Sequence, residues 1–378
     1  MDVELHRGLK GVYITNTELC YIDGQNGKLY YRGYPIEDLA TKSNFEETSY
    51  LLLNGKLPTK KELDDFKKSL VKNREIPEEV TDTIKKIGKI AHPMDTLRSA
   101  VSMLSAYDKN ITNTKPEENY RRAIELTAKI ASIVAMTKRV RENKKIIEPD
   151  ASLDHAANFM HMMGLNTDPL SVKTMDVALI LHLEHGMNAS TFSCVVTAST
   201  LADLYASITS GIATLKGPLH GGANEKALAM YRAIGKPENV ETYIRESFDR
   251  KDRIMGFGHR VYKNYDPRAK ILRKYMEDIG NRNGDKENLL KIALKVEDMM
   301  IKELGTTKGI WPNVDSFSGV VYNDLGIPID MFTPIFAVGR IVGWSAHVME
   351  YLKENELLRP LDNYIGKLDL KYVPIENR

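Results

Sequence analysis

The sequence has few cysteines, no long apolar run and almost no excess charge. Its 378 residues include two cysteines, Cys20 and Cys194, which cannot build a disulfide framework and indicate a reducing compartment. The formal net charge of +2 gives no strong field that would favour nucleic acid or a membrane surface. The longest apolar-leaning stretch, residues 189–215, contains Asp203 and many Ser and Thr residues, which favours a helix buried in protein over a membrane span.

The start of the chain also lacks a targeting signal. Its first eleven residues contain no apolar segment of the kind that a secretory signal requires, so we expect a cytoplasmic protein. Apolar residues make up 42% and charged residues 28% of the sequence, which is typical of globular enzymes. The length suits two domains, such as a large domain with an insertion.

The pattern along the chain predicts a mainly α fold with a small N-terminal β portion. Residues 12–34 alternate β-branched or aromatic residues with polar ones around Asp23-Gly24 and Asn26-Gly27, which predicts a hairpin. From Pro35 onward helical spacing dominates, first in "PIEDLATKS", "SNFEETSYLLLNGKLP" and "TKKELDDFKKSLVKN". Further helices are predicted at residues 80–90, 94–107, 117–143, 151–163, 172–186, 190–214, 222–234, 237–248, 265–281, 286–304 and 330–354.

Two segments rich in Gly and Pro are candidate hinges. They are "LKGPLHGG" at residues 215–222 and "YNDLGIPID" at residues 322–330, each between predicted helices. They bracket about one hundred residues that include the stretch "MGFGHRVYKNYDPRAK". Its glycines permit close approach of a ligand to the backbone next to His259, and Arg268 follows at a predicted helix start, which favours recognition of carboxylate or phosphate.

Two more side chains suit acid–base chemistry at a carbonyl compound. His220 lies before a predicted helix, where the positive end of the helix dipole disfavours a protonated ring, so that a neutral imidazole could donate to an oxyanion. Asp315 lies in "IWPNVDSFSGVVYN", where a partly dry, aromatic surrounding can raise a carboxyl pKa and make the group a base. Together with His259 and the arginines, these residues suit proton abstraction beside a carbonyl, on a substrate that carries carboxylates.

A metal site is the weaker interpretation of the histidines. His182 and His185 in "LHLEHGMNAS" are three residues apart and could share one helical face, with His220 as a distant third ligand of zinc. No HExxH motif or cysteine cluster accompanies them.

Six segments, in one order along the chain, resemble the citrate synthase family in its short archaeal and bacterial form. They are "GLKGVYITNTELCYIDGQNGKLYYRGYPIEDLA", "EHGMNAS", "LKGPLHGGANE", "MGFGHRVYKNYDPRA", "PNVDSFSG" and "FAVGRIVGWSAHVMEY", and the resemblance continues to the "RP" at residues 359–360. It covers nearly the whole chain. Gly186 departs from it, because many relatives have an acidic or other polar residue after the histidine that matches His185.

The resemblance implies a role for each matching residue. His220 would stabilise the enol of acetyl-CoA, Asp315 would remove its methyl proton, and His259 would polarise the oxaloacetate carbonyl. Oxaloacetate would be bound by His185, Arg268, Arg340 and, reaching over from the partner subunit, Arg359. The adenine end of CoA would lie against the backbone of Arg253, Ile254, Met255, Gly256, Phe257 and Gly258, with Lys263 and Lys308 near the CoA phosphates. No metal ion and no cofactor is implied, since acetyl-CoA is a substrate.

The resemblance also implies a two-domain multihelical fold and an obligate homodimer. Residues 1–219 and 327–378 would form a discontinuous, dimer-forming large domain. Residues 220–326 would form a small domain with the CoA and catalytic loops. Closure of the two domains would bring the catalytic groups together and exclude water.

Three alternatives remain open at the level of sequence. A 2-methylcitrate synthase, which uses propionyl-CoA, or a dual-specificity enzyme that accepts both thioesters would share every motif. One methylene contributes only about 1–3 kcal/mol to discrimination in an apolar pocket. A zinc hydrolase would use His182, His185 and His220. A non-catalytic CoA-binding protein is disfavoured by the presence of Asp315, His220 and His259, because a binder has no need of a base.

Overall fold

The computed structural model describes residues 4–378, and most of this part of the chain is helical. The mainly α prediction is confirmed. The α-helices are α1 Ile36–Lys42, α2 Phe45–Asn54, α3 Lys60–Lys72, α4 Glu78–Ile87, α5 Pro93–Leu104, α6 Pro116–Arg141, α7 His155–Met163, α8 Pro169–His182, α9 Ala189–Ser199, α10 Leu204–Leu215, α11 Ala223–Ile234, α12 Val240–Asp249, α13 Pro267–Asn283, α14 Leu289–Met300, α15 Thr306–Lys308, α16 Asp315–Asp324 and α17 Phe332–Tyr351.

The small β portion is an antiparallel sheet of three strands in sequence order, β1 Cys20–Asp23, β2 Lys28–Tyr31 and β3 Tyr34–Pro35. Asp23 pairs with Lys28, and the Asp23 carboxylate accepts from the backbone N–H of Asn26 and so holds the turn. The predicted hairpin is therefore confirmed for residues 20–31, whereas residues 12–19 form no regular strand. Tyr31 anchors the sheet, because its hydroxyl is buried and donates to the Glu184 carbonyl beyond the end of α8.

Helix α17 is the central element of the larger group of helices. It packs against α6, α8, α9 and α10, and nearly all of its side chains are buried. Gly343 permits its close contact with the chain after α8, because a Cβ there would lie 2.2 Å from the Leu183 carbonyl oxygen. Helix α17 thereby brings Arg340 next to residues 182–185, since the Arg340 Nε donates to the His182 carbonyl at 2.8 Å.

A second group of helices follows α10 in the sequence. Helices α11, α12, α13, α14 and α16 pack against one another. Gly319 allows the closest of these contacts, since a Cβ on it would lie 2.7 Å from the Asn224 carbonyl oxygen of α11. The first candidate hinge, residues 215–222, joins α10 to α11, and the second includes the end of α16 and the connection towards α17. The domain boundaries at 219/220 and 326/327 stay a prediction.

Two helix predictions were wrong, and one helix was missed, in ways that matter for the site. The helix predicted at residues 172–186 ends at His182, so His185 lies in the following loop. The helix predicted at residues 190–214 is two helices, separated where Leu201 has a φ of 66° and Asp203 caps α10. Helix α16 was not predicted, because its apolar residues are interrupted by Ser and Gly residues that pack closely against α11.

The chain ends in an extended region, residues 356–378, which we name the C-terminal segment. Nine of its large apolar side chains are exposed: Leu357, Leu361, Tyr364, Ile365, Leu368, Leu370, Tyr372, Val373 and Ile375. Separately, none of the helices within residues 4–378 has the length and apolarity needed to cross a membrane.

Candidate active site

Two aromatic contacts bring the predicted site residues together from distant parts of the chain. The rings of His185 and His259 meet edge to face with centroids 5.2 Å apart. Two further predicted residues, His220 and Arg340, both contact Phe336 of α17. Its ring centroid lies 6.4 Å from that of His220 and 4.7 Å from the Arg340 guanidinium carbon. The site therefore forms where the loops before α11, after α8 and before α13 approach α17.

His259 is held as a neutral ring with a defined proton position. Its Nδ1 accepts from the backbone N–H groups of Val261 and Tyr262, at 3.0 and 3.2 Å. Burial, with the nearby Arg268 cation, lowers the pKa of His259 to about 4. Because Nδ1 is an acceptor, the single ring proton lies on Nε2, so this nitrogen can donate to a carbonyl oxygen.

His220 lies in the turn just before α11, as predicted, and its neutrality has a different cause from the one expected. Burial lowers its pKa to about 4, with Arg340 contributing, so the ring is uncharged without reference to the helix dipole. Ser190 holds the ring, because its backbone N–H and its hydroxyl lie 3.3 and 2.8 Å from Nε2. Trp344 of α17 in turn donates to the Ser190 hydroxyl at 3.0 Å. The amide can only donate, which favours an unprotonated Nε2 and a proton on Nδ1.

The two buried arginines differ in how far they are paired. Arg268, at the start of α13, donates through Nε and Nη2 to the two carboxylate oxygens of Asp266, at 3.0 and 2.7 Å. The Nη nitrogens of Arg340 make no hydrogen bond to any residue within 4–378, and its only such bond is from Nε to the His182 carbonyl. Arg340 therefore has unused donors that suit a carboxylate, whereas Arg268 keeps Nη1 for a ligand.

Asp315 is the first residue of α16 and is half-buried. Burial raises its pKa to about 6, against the lowering effect of Arg268. Asn313 ties it to the glycine loop, because the Asn313 side chain accepts from the Asp315 N–H and donates to the Gly258 carbonyl. The carboxylate is ionised at neutral pH and still more basic than an exposed one, which suits a general base.

The glycines before His259 are required by this loop. Gly256 and Gly258 have φ values of 83° and 82°, in the left-handed region. A Cβ on Gly256 would also lie 2.8 Å from the Ser316 Cα. The Gly258 N–H donates to the Trp311 carbonyl, and the Asn313 N–H donates to the Gly256 carbonyl. Backbone pairing thus fixes the loop of His259 against the loop of Asp315.

The predicted CoA contacts range from buried residues of this loop to exposed cations. Ile254 and Gly256 are buried, Met255, Phe257 and Gly258 are half-buried, and three cations are exposed: Arg253, Lys263 and Lys308. A cavity of about 370 Å³ lies between α11, α12 and the loop, with Arg253 and Met255 among the residues that line it. Arg359 is not part of this arrangement: it is exposed, in the C-terminal segment.

The prediction that His182 and His185 share one helical face, as a zinc site would require, is wrong. His182 ends α8 and points into the core, where its Nδ1 contacts the Ala178 carbonyl and its ring packs 4.8 Å from Phe336. His185 lies beyond the helix and faces His259. Within residues 4–378, no three His, Cys, Asp or Glu side chains are grouped so that they could hold a metal ion.

Gly186, the departure from the family pattern, has a local explanation. Its φ of 62° is left-handed, and its N–H donates to the Glu184 carboxylate. Glu184 also pairs with His347 of α17 at 2.9 Å, with both side chains buried. The turn after His185 is therefore fastened to α17, and glycine is the residue that adopts it at least cost.

Several residues that hold the site were not singled out from the sequence. They are Tyr262, Asp266, Ser190, Asn313, Glu184 and His347. Tyr262 and Asn313 lie within the quoted motifs, and their nearness to His259 and Asp315 was an available signal. Ser190 and His347 also lie within quoted motifs, but no local pattern indicated their contacts, which join residues 30 and 163 positions apart.

The hairpin of β1 and β2 also contacts the loop that follows His259. The Lys263 N–H donates to the Gly24 carbonyl at 2.8 Å. A Cβ on Gly24 would lie 2.4 Å from the Val261 carbonyl oxygen, and one on Gly27 would lie 2.5 Å from the Tyr265 carbonyl oxygen. The two glycines of the turn thus allow backbone-to-backbone contact with the loop that follows His259.

Comparison with known proteins finds relatives that match nearly the whole chain. A family model described as "Citrate synthase, C-terminal domain" matches residues 8–361. A citrate synthase of Deinococcus radiodurans is 45% identical over 373 residues, which cover 98% of this chain and 98% of that relative.

Solved structures give the same result. The crystal structure of citrate synthase from Pyrobaculum aerophilum superposes with a TM-score of 0.94 at 43% identity, covering 99% of this chain and 95% of that one. A ternary complex of citrate synthase from Thermoplasma acidophilum with carboxymethyl coenzyme A and oxaloacetate gives a TM-score of 0.93 at 38% identity, covering 99% of this chain and 100% of that one.

Proposed function

Because the chain belongs to the citrate synthase family, we propose that it condenses acetyl-CoA with oxaloacetate and hydrolyses the resulting citryl-CoA to citrate and CoA. It would act as an acyltransferase at the entry to the tricarboxylic acid cycle. The observation that carries the proposal is the position of Asp315, whose pKa of about 6 suits a base and whose loop is bonded to the loop of His259.

The proposed first step is removal of a proton from the methyl group of acetyl-CoA by the Asp315 carboxylate. The electron pair of the broken C–H bond forms an enolate, whose oxygen accepts from the His220 ring. A neutral donor suits this task, and the low pKa of His220 keeps it neutral. One well-placed donor contributes roughly 10²–10³ in rate, and a positioned base about 10²–10⁴.

In the second step the former methyl carbon of this enolate attacks the carbonyl carbon of oxaloacetate. His259, which carries its proton on Nε2, hydrogen-bonds to and then protonates the carbonyl oxygen as the new carbon–carbon bond forms. Arg268, Arg340 and His185 hold the substrate carboxylates and its oxo group. His259, left without its ring proton, takes one from the water whose oxygen attacks the thioester carbonyl. The protonated Asp315 gives its proton to the departing thiolate, so CoA leaves as the thiol, and the new carboxyl group of citrate releases one proton to solvent. The ternary complex of the Thermoplasma acidophilum relative, with a CoA analogue and oxaloacetate, supports this pair of substrates.

The C-terminal segment supports the proposal of a homodimer. Nine exposed large apolar side chains in one segment are more than a protein surface normally leaves in water. A second copy of the chain would cover them and would bring Arg359 to the neighbouring site. The enzyme would be cytoplasmic, and it would need no metal ion or cofactor, since every step uses groups of the chain or the substrates.

The test is release of free CoA thiol from oxaloacetate and acetyl-CoA by purified, chelator-treated protein. We expect turnover with acetyl-CoA and slower turnover with propionyl-CoA. A preference for propionyl-CoA would instead assign the 2-methylcitrate synthase alternative. Absence of thiol release with both thioesters would refute the proposed function.

A further inference from the structure

Tyr262 lies at the centre of the histidine cluster, although the proposed chemistry gives it no step. Its side chain is 2% exposed, and its ring centroid is 4.9 Å from that of His259 and 5.5 Å from that of His185. The Arg268 guanidinium carbon lies 6.0 Å from the same ring. The tyrosine therefore touches both histidines that face the proposed oxaloacetate site.

The hydroxyl of Tyr262 has one hydrogen-bond partner within residues 4–378, the Nε2 of His185 at 3.2 Å. Burial raises the pKa of the phenol, so it keeps its proton. A buried O–H without an acceptor is costly, and Nε2 is the acceptor within reach. This favours a phenol that donates and a His185 Nε2 that accepts.

The consequence for His185 follows from the chemistry of a neutral imidazole. Burial, with Arg268 and His259, holds the pKa of His185 well below its ordinary value, so the ring has a single proton. An Nε2 that accepts leaves this proton on Nδ1. Nδ1 makes no hydrogen bond to any residue within 4–378, so it is available as a donor to a substrate oxygen.

We propose that Tyr262 is a positioning residue for both oxaloacetate-facing histidines. Its hydroxyl sets the tautomer of His185, and its backbone N–H, together with that of Val261, sets the tautomer of His259. Each ring then has its acceptor nitrogen occupied by the same residue and presents an N–H to the dianionic substrate. The opposite tautomer of His185 would turn a lone pair towards a substrate carboxylate or carbonyl oxygen and repel it. The role in binding oxaloacetate rests on the proposed function. The tautomers do not, because they follow from hydrogen bonds within the protein.

The test is Tyr262→Phe, which removes the hydroxyl and keeps the ring contacts and the backbone N–H. The matched control is Tyr265→Phe in the same loop, since the Tyr265 hydroxyl bonds to Glu297 rather than to a site residue. Thermal unfolding monitored by circular dichroism checks that both variants fold. Histidine-selective 15N NMR of the substrate-free protein, with the His185 signals assigned by a His185→Gln variant, then reports which nitrogen carries the proton.

In the wild type and in Tyr265→Phe we expect His185 to be protonated on Nδ1. In Tyr262→Phe we expect a mixture of tautomers, with His259 unchanged because its partner is an amide. With oxaloacetate, the loss of one orienting hydrogen bond should raise KM about five- to tenfold. We expect kcat to change less than about threefold, since base and enolate donor are untouched.

Three results would overturn the role of Tyr262. One is a His185 proton on Nε2 in the wild type, and a second is an unchanged His185 tautomer in Tyr262→Phe. An equal KM rise in Tyr265→Phe would also overturn it, because the effect would then belong to the loop as a whole. If the wild type formed no citrate, the proposed function would fail, whereas the NMR readout would still decide the tautomer.

Discussion

Arg340 and Arg359 are both predicted to bind oxaloacetate, but they lie in opposite environments. Arg340 is 1% exposed, on a helix buried on all sides, and its position is fixed by the His182 carbonyl and Phe336. Arg359 is exposed, in a segment whose apolar side chains also face outward. The packing of a single chain is enough to place the first arginine and gives the second nothing to pack against. A single chain therefore fixes Arg340 by its own packing, whereas the C-terminal segment leaves Arg359 and its apolar neighbours exposed.

The largest expected effect comes from Asp315, the proposed base, which belongs to the part of the site that one chain packs by itself. Asp315→Asn should lower kcat by about 10²–10⁴, because an amide cannot accept the methyl proton. Oxaloacetate binding, measured by calorimetry, should stay nearly unchanged, since the arginines and His185 are intact.

Asp324→Asn is the matched control for Asp315. It lies at the other end of α16, and burial raises its pKa to about 6 as well, but it has no place in the proposed chemistry. The kcat of Asp324→Asn should remain near that of the wild type. Equal losses of binding and turnover in Asp315→Asn would mean that Asp315 is structural.

The variant Arg359→Leu tests the role predicted for the exposed arginine. Truncating one partner of a desolvated charge pair typically costs about 2–5 kcal/mol, so the dissociation constant of oxaloacetate should rise at least about thirtyfold. Arg378→Leu, in the same segment, should leave it unchanged. The measurement is calorimetric titration with oxaloacetate, with circular dichroism as the check on folding.

Mixed dimers decide which subunit Arg359 serves. At an oxaloacetate concentration that saturates only the wild type, the Arg359→Leu and Asp315→Asn homodimers should each have little activity, the first through weak binding and the second through loss of the base. If Arg359 completes the neighbouring site, a mixed dimer has one site with both lesions and one site with neither, so refolding the two variants together restores thiol release. If Arg359 serves its own chain, every site keeps one lesion and activity stays absent although mixed dimers form.

The apolar side chains of the C-terminal segment give a smaller and independent effect. Ile365 is 92% exposed in the single chain, and burial of an Ile side chain contributes about 1.5–3 kcal/mol. Ile365→Lys should lower the free energy of unfolding of the dimer by about this amount in urea titration. Ile90→Lys, at a site 84% exposed outside the segment, should change it by less than about 0.5 kcal/mol. Equal, small effects would mean that the segment stays in water.

The pH dependence of kcat gives the smallest effect and separates Asp315 from the histidines. The raised pKa of Asp315 means that the base is lost by protonation as pH falls through about 6, whereas His220 and His259 stay neutral down to about 4. We expect one acid limb, with kcat falling about tenfold per pH unit below 6. A limb near 4 would remove Asp315 as the base, provided that the protein stays folded over the range.

The sequence predicted those parts of the fold and site that depend on local signals. The hairpin follows from Asp23, which bonds to the Asn26 N–H, and the end of α2 follows from Gly55 with a φ of 81°. The motifs also identified His185, His259 and Arg340, which the structure brings together at α17, but their roles stay predictions. The division between α9 and α10 has no Gly or Pro to mark it, since Leu201 adopts a positive φ itself.

The remaining features depend on contacts that local patterns do not contain. The extent of α8 is decided by Glu184, whose pairing with His347 and with the Gly186 N–H favours a turn over one more helical turn. The pairing of Arg268 with Asp266 is close in sequence, but its geometry depends on burial at the start of α13. The neutral state of His220 depends mainly on how deeply the ring is buried, which the residues next to it do not determine.

The central position of α17 has a consequence for synthesis of the protein on the ribosome. Helices α6, α8, α9 and α10 are complete by residue 215, but the helix that fills the space between them ends at Tyr351. At about 5–20 residues per second, translation of the intervening chain takes roughly 7–27 s. During that interval the groove for α17 is open and apolar, and the backbone that anchors Arg340 has no partner. The nascent chain should therefore need a chaperone to cover this apolar groove, and so prevent aggregation of the chain, until α17 emerges.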